Sequence, residues 1–244
     1  MAKGYLSILF IGIQFLFYFP LFAQTPEDSI RIQGSIPIER ADAAKWVKRF
    51  QKDIDLYEEA NKTSSDTLYD VLFLGSSSIH LWKTLVEDMA PLKILKRSYG
   101  GSTIRDIIHN YPVVAKNHNV RKIALYVEND LSSHKEGIGP GECYDLFRLF
   151  LQELQKDYPE VPIYIISFKP SFARQNQLSD QLIVNRLLKD YAGATPNLHY
   201  IDITAVMYDD KGKLREDIFL KDRLHLNSKG YELWTQAIRP CLID

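Results

Sequence analysis

The stretch Asp70-Val71-Leu72-Phe73-Leu74-Gly75-Ser76-Ser77-Ser78-Ile79-His80-Leu81-Trp82 decides how this chain folds. Four consecutive apolar residues, Val71 to Leu74, leave no polar face, so a strand built from them must be covered on both sides. Gly75 allows a tight turn, and the serine run after it suits the start of a helix. A strand buried on both faces that feeds straight into a helix opens a β-α-β unit of a parallel sheet.

Working outward, the same alternation repeats. Apolar runs predict strands over 69–75, 93–97, 122–127, 162–167 and 198–202, and Ile163-Tyr164-Ile165-Ile166 is again apolar on both faces. Between and after them, helical spacing predicts helices near 78–88, 103–110, 142–157, 177–192 and 227–239, with Ser78 as the cap of the first. Trp46, Phe50, Ile54 and Tyr57 recur at spacings of four, four and three, which predicts a further amphipathic helix ahead of the first strand. Strands joined by helices require right-handed crossovers. The expected fold is therefore α/β: three-layer αβα, flavodoxin-like, with a five-stranded parallel sheet in the order 2-1-3-4-5. In that order Ser77, Gly101 and Asn129 each follow the C-terminal end of one of three neighbouring strands, where open α/β sheets place ligands. The glycine-rich segment from Ser132 to Gly141 is expected to be a surface loop at the same edge, a lid being the alternative.

The chain has 244 residues, 45% hydrophobic and 25% charged, which suits one large domain. Its first 23 residues differ in kind: Lys3 precedes an uncharged apolar stretch from Gly4 to Phe22, and Ala23 then opens onto polar sequence. This is the outline of a secretory signal, with an uncleaved membrane anchor as the alternative. Residues 24–40, with Pro26 and Pro37 and no sustained period, read as a linker, leaving 41–244 as the domain and an exported protein as the expectation. With 30 basic and 31 acidic side chains the net charge is −1, which gives nothing to steer a nucleic acid. Cys143 and Cys241 are expected to stay unpaired. His109, His118, His134 and His199 have no metal-ligand spacing, and no phosphate loop occurs, so no cofactor is implied.

Four short segments can carry chemistry: Gly75-Ser76-Ser77-Ser78, Gly100-Gly101-Ser102-Thr103, Glu128-Asn129-Asp130 and Asp222-Arg223-Leu224-His225. They hold a hydroxyl nucleophile, backbone and amide donors, an imidazole, and a carboxylate placed to orient it. Across about residues 69–238 the chain resembles the SGNH hydrolases, the GDSL-like lipase/esterase superfamily. Gly75 to Trp82 is similar to that family's Gly-Ser-Ser-Ser-Ile-Arg-Leu-Trp variant, with His80 at the arginine position. The resemblance implies a serine carboxylic ester hydrolase. Ser77 would be the nucleophile, His225 the base and Asp222 its orienting acid, with an oxyanion hole from the Ser77 and Gly101 N–H groups and the Asn129 side chain. The family usually carries a glycine two residues before this asparagine, and here that position is Val127, followed by Glu128.

On this resemblance the expected substrate is a short acyl ester, acetyl first, on a carbohydrate or other small molecule. Alternatives are a short-chain lipid or thioester, or an inert glycan-binding domain of the same fold. His80 is expected on the helix flank, with a second base as the alternative. The segment Phe168-Lys169-Pro170-Ser171-Phe172-Ala173-Arg174 follows the fourth strand on the same edge of the sheet and reads as a proline-stiffened loop with solvated cations, with Lys169 or Arg174 in contact with substrate as the alternative.

Overall fold

The computed structural model describes residues 48–64, 66–131 and 138–243. Five strands, β1 (Tyr69–Gly75), β2 (Ile94–Ser98), β3 (Val120–Tyr126), β4 (Ile163–Ile166) and β5 (Leu198–Ile201), form one sheet in the order β2-β1-β3-β4-β5. Every neighbouring pair is parallel, as expected from the buried apolar runs.

Alternate residues of β1 enter different cores, because successive side chains of a strand point to opposite faces. Leu72 and Leu74 pack with Leu95, Ile123 and Leu125 under the helices Gln51–Ser64, Ile104–His109, Pro140–Asp157 and Leu178–Ala194. Val71 and Phe73 pack on the other face with Ile79, Trp82, Trp234 and Ile238. Handedness explains the division. The connection from β1 outward to β2 runs opposite to those leading from β2 back across to β3, β4 and β5, so right-handed crossovers place its helices on the other face.

Register then sets the site. Gly75 pairs with Ser98 of β2 on one side and with Tyr126 of β3 on the other, so three strands end at one level. A Cβ on Gly75 would stand 2.9 Å from the Tyr126 carbonyl and closer still to Ile79, so only glycine fits where the chain turns from strand into helix.

Two expectations are corrected. The helix expected over 78–88 is two short ones, Ser77–His80 and Leu85–Asp88. Between them the Trp82 indole N–H and the Thr84 hydroxyl both donate to the Asp88 carboxylate at 2.6 Å, side-chain bonds taking over where the helical ladder stops. Ser76, in extended conformation, is the N-cap, while Ser78 lies buried inside the first turn. The helix ahead of β1 runs over Gln51–Ser64, with Ile54 and Tyr57 against the core, and Trp46 lies outside the described residues. So do residues 1–23, read as an export segment, residues 24–40, read as a linker, and residues 132–137 of the glycine-rich loop. Cys143 is buried, Cys241 is exposed, and both are free thiols. Among the described residues no helix is long and apolar enough to cross a membrane.

Candidate active site

Ser77 is the first residue of its helix, directly past β1, and is half-buried. Past β2, Gly101 adopts a left-handed backbone with φ of 80°, which glycine takes without strain. Thr103 and Asp106 then close a capping box on the helix Ile104–His109. The turn is also gripped from outside: Arg49 donates to the Gly101 carbonyl at 3.2 Å and pairs with Asp106. Tyr57, from the first helix, donates to the Ser98 carbonyl at 2.6 Å and accepts from the Ser98 N–H at 3.0 Å.

Past β3, Asn129 opens a 3-10 turn and is buried. Its amide nitrogen donates to the Ser102 carbonyl at 2.9 Å, tying the third segment to the second. Val127 is not among the residues with positive φ and is fully buried in the core, so this loop needs no glycine at that position. Glu128 is buried beside it and is not an isolated charge. Lys169 Nζ and Arg174 Nη1 stand 2.5 and 2.9 Å from its Oε1. Burial alone would push the Glu128 carboxyl up, but the charges of Lys169 and Arg174 outweigh burial and hold it below the usual range.

Asp222 and His225 meet in a tight loop near the C-terminus. One carboxylate oxygen of Asp222 accepts the backbone N–H groups of Leu224 and His225 at 2.9 and 3.0 Å, and the other lies 2.6 Å from His225 Nδ1. Burial would raise the Asp222 carboxyl, yet the bonds from the imidazole and the two N–H groups bring it below its ordinary value. The loop is pinned by the Leu220 N–H donating to the His225 carbonyl at 2.7 Å.

Ser77, Gly101, Asn129 and His225 line one pocket of about 360 Å3, together with His80 and Arg174. Asp222 stands behind His225. His80, expected on the helix flank, lines this pocket, and its Nδ1 lies 3.1 Å from the Ser98 carbonyl. The solvated cations expected after β4 are buried instead, Lys169 completely. Of the two, Arg174 lines the pocket, which is the alternative reading of this loop and not the preferred one. The available signal was its position: a basic loop past β4, on the edge that already carried three candidate residues. Among the described residues no group of three His, Cys, Asp or Glu is arranged to hold a metal ion.

No protein-family model and no curated protein sequence matches the chain. Solved structures do. A Streptococcus pneumonia protein provisionally assigned as a platelet activating factor superposes with a TM-score of 0.68 at 18% identity, covering 83% of this chain and 99% of its own. A GDSL-like lipase from Bacteroides thetaiotaomicron gives 0.61 at 16% identity over 80% and 96%. A variant acetyl-xylooligosaccharide esterase from Geobacillus stearmophilus gives 0.55 at 16% identity over 71% and 94%. The chain therefore has the three-layer α/β fold of these proteins, and it spans nearly their whole length.

Proposed function

We propose that this chain is an exported serine ester hydrolase of the SGNH/GDSL type that removes short acyl groups, acetyl first, from a carbohydrate or other small ester. The observation that carries the reading is the 2.6 Å Asp222–His225 pair on the rim of the pocket that also holds Ser77, Gly101 and Asn129. In the proposed reaction Ser77 Oγ attacks the ester carbonyl as His225 Nε2 takes its proton. Asp222 keeps the other nitrogen protonated and stabilises the imidazolium. The oxyanion is met by the N–H groups of Ser77 and Gly101 and by the Asn129 amide, whose nitrogen carries two protons, so this role is compatible with its bond to Ser102. Collapse of the tetrahedral intermediate expels the alcohol, which takes the proton from His225, and water repeats the cycle on the acyl-enzyme.

The size of the pocket supports a short acyl group, since a volume of about 360 Å3 shared with the alcohol leaves little room for a long chain. The acetyl-xylooligosaccharide specificity named for one structural neighbour supports a carbohydrate acceptor. Export rests on the apolar segment Gly4 to Phe22 after Lys3.

The test is a stopped-flow burst with p-nitrophenyl acetate together with fluorophosphonate labelling. The wild type should show acylation, with the label on Ser77, and Ser77→Ala should lower kcat by several orders of magnitude while Ser76→Ala and Ser78→Ala cost far less. Absence of both burst and label would identify a binding domain instead, and a label on Ser76 or Ser78 would move the nucleophile.

A further inference from the structure

Against the pocket lies a charged cluster that the reaction above does not use. Glu128 follows β3, Lys169 follows β4, and Arg174 comes from the 3-10 segment Phe172–Gln177 beyond it; their side chains are 3%, 0% and 10% exposed. Two cations share one carboxylate oxygen. Such buried clusters add little stability over apolar packing of the same volume. Their geometry, however, is specific. Arg174 faces Glu128 with Nη1 and donates from Nη2 to Asn129 Oδ1 at 2.5 Å, while the nitrogen of the same amide donates to the Ser102 carbonyl.

An amide held at its oxygen by a cation and at its nitrogen by a carbonyl has one orientation. A flip would set NH2 against guanidinium and oxygen against oxygen. We propose that Arg174 is a positioning residue: braced by Glu128, it locks the Asn129 amide with its nitrogen on the Ser102 side of the pocket, so that this oxyanion donor is preorganised before substrate arrives. The inference rests on the esterase reading. Guanidinium suits the task because its planar fork reaches a carboxylate and an amide oxygen at once, which a lysine ammonium on a flexible stem does not. Lys169, fully buried against the same carboxylate oxygen, Oε1, with its Nζ 6.0 Å from the Tyr126 ring centre, keeps Glu128 charged and in place. The cluster thus does for this loop what a special backbone angle at position 127 does not.

The experiment is a double-variant cycle read on p-nitrophenyl acetate, with melting temperature measured on the same preparations. Asn129→Ala should lower kcat by about a hundredfold or more. Arg174→Gln should lower it by about tenfold to a hundredfold with KM changed less than about twofold, the cost of a displaced group. The double variant should be slower than Asn129→Ala by no more than about twofold, because nothing is left to position. Arg174→Lys keeps the charge beside Glu128, so it should melt near the wild type yet stay slow, and it carries the same cycle should Arg174→Gln fail to fold. Losses that multiply in the double variant, a defect mainly in KM, or full kcat in Arg174→Lys overturn the proposal. A wild type without a burst removes the esterase reading and this role with it, whereas a burst with multiplying losses removes only the role of Arg174.

Discussion

Asp222 and His80 show how one pocket gives two imidazoles different work. The Asp222 carboxylate holds His225 through its side chain and its backbone N–H at once, which fixes both ring and loop. His80 has only a backbone carbonyl at its Nδ1, a partner that sets a tautomer but cannot stabilise an imidazolium as a carboxylate does. Asp222→Asn should therefore lower kcat by roughly 10^3- to 10^4-fold, while His80→Asn retains most of it. Because the Asp222 carboxyl sits below its ordinary range, it stays ionised through pH 5. The acid limb of kcat/KM should then show a slope of one, because Asp222 adds no protonation of its own above pH 5. A slope of two above pH 5, or loss of turnover in His80→Asn with His225→Ala tolerated, would reassign the base.

At the scale of elements, the helix Ile104–His109 begins against a carboxylate that burial works against. Asp130 is fully buried, accepts the Ile104 N–H at 2.8 Å, and has its pKa pushed up to about 6 by burial first, with nearby Asp106 adding to it. The folded value lies above the unfolded one, so between about pH 4 and 6 the native state binds a proton that the unfolded chain does not. This group therefore makes the fold more stable as pH falls from 7, and above pH 6 its charge costs up to about 3 kcal/mol. Asp130→Asn keeps an acceptor without the charge and should gain about 1–3 kcal/mol at pH 7.5, a gain that disappears near pH 4. Urea unfolding across that range checks it, and identical pH slopes for the two proteins would refute it. Elements were largely legible in the sequence because periodicity reports local burial: Val71 to Leu74 could only be an inner strand. The break after His80 was not, since it depends on Trp82 and Thr84 meeting Asp88. Nor were the buried Lys169 and Arg174, whose burial depends on a carboxylate 41 positions away from Lys169 on another strand end.

Across the whole molecule, the proposed nucleophile and the proposed base lie far apart in the chain, and one aromatic cluster joins the segments that carry them. Trp82 stacks on Tyr231 with ring centres 5.1 Å apart, and Trp234 packs edge-on against Trp82, Tyr231 and Tyr126. Burial pushes the Tyr231 phenol up, so it remains a donor, and it gives its proton to the Ser78 carbonyl at 2.8 Å across 153 positions of sequence. Tyr231 thus links the first turn of the helix Ser228–Leu242, which follows His225, to the turn that carries Ser77. Gly230, the residue before it, packs the helix onto the segment that leads to His225, since a Cβ there would stand 2.6 Å from the Ile218 carbonyl. Tyr231→Phe keeps the ring but strands a buried carbonyl, a cost of about 1–3 kcal/mol. If the clasp sets the distance between Ser77 and His225, kcat of the folded enzyme should also fall severalfold at constant KM. Leu188→Ala supplies the comparison: it opens a hole in the core on the opposite face of the sheet and should cost about 2–5 kcal/mol. Being remote from the clasp, it should leave kcat of the folded fraction unchanged. Turnover that tracks stability alone across the two variants would show that the aromatic cluster holds the fold and not the geometry of the site.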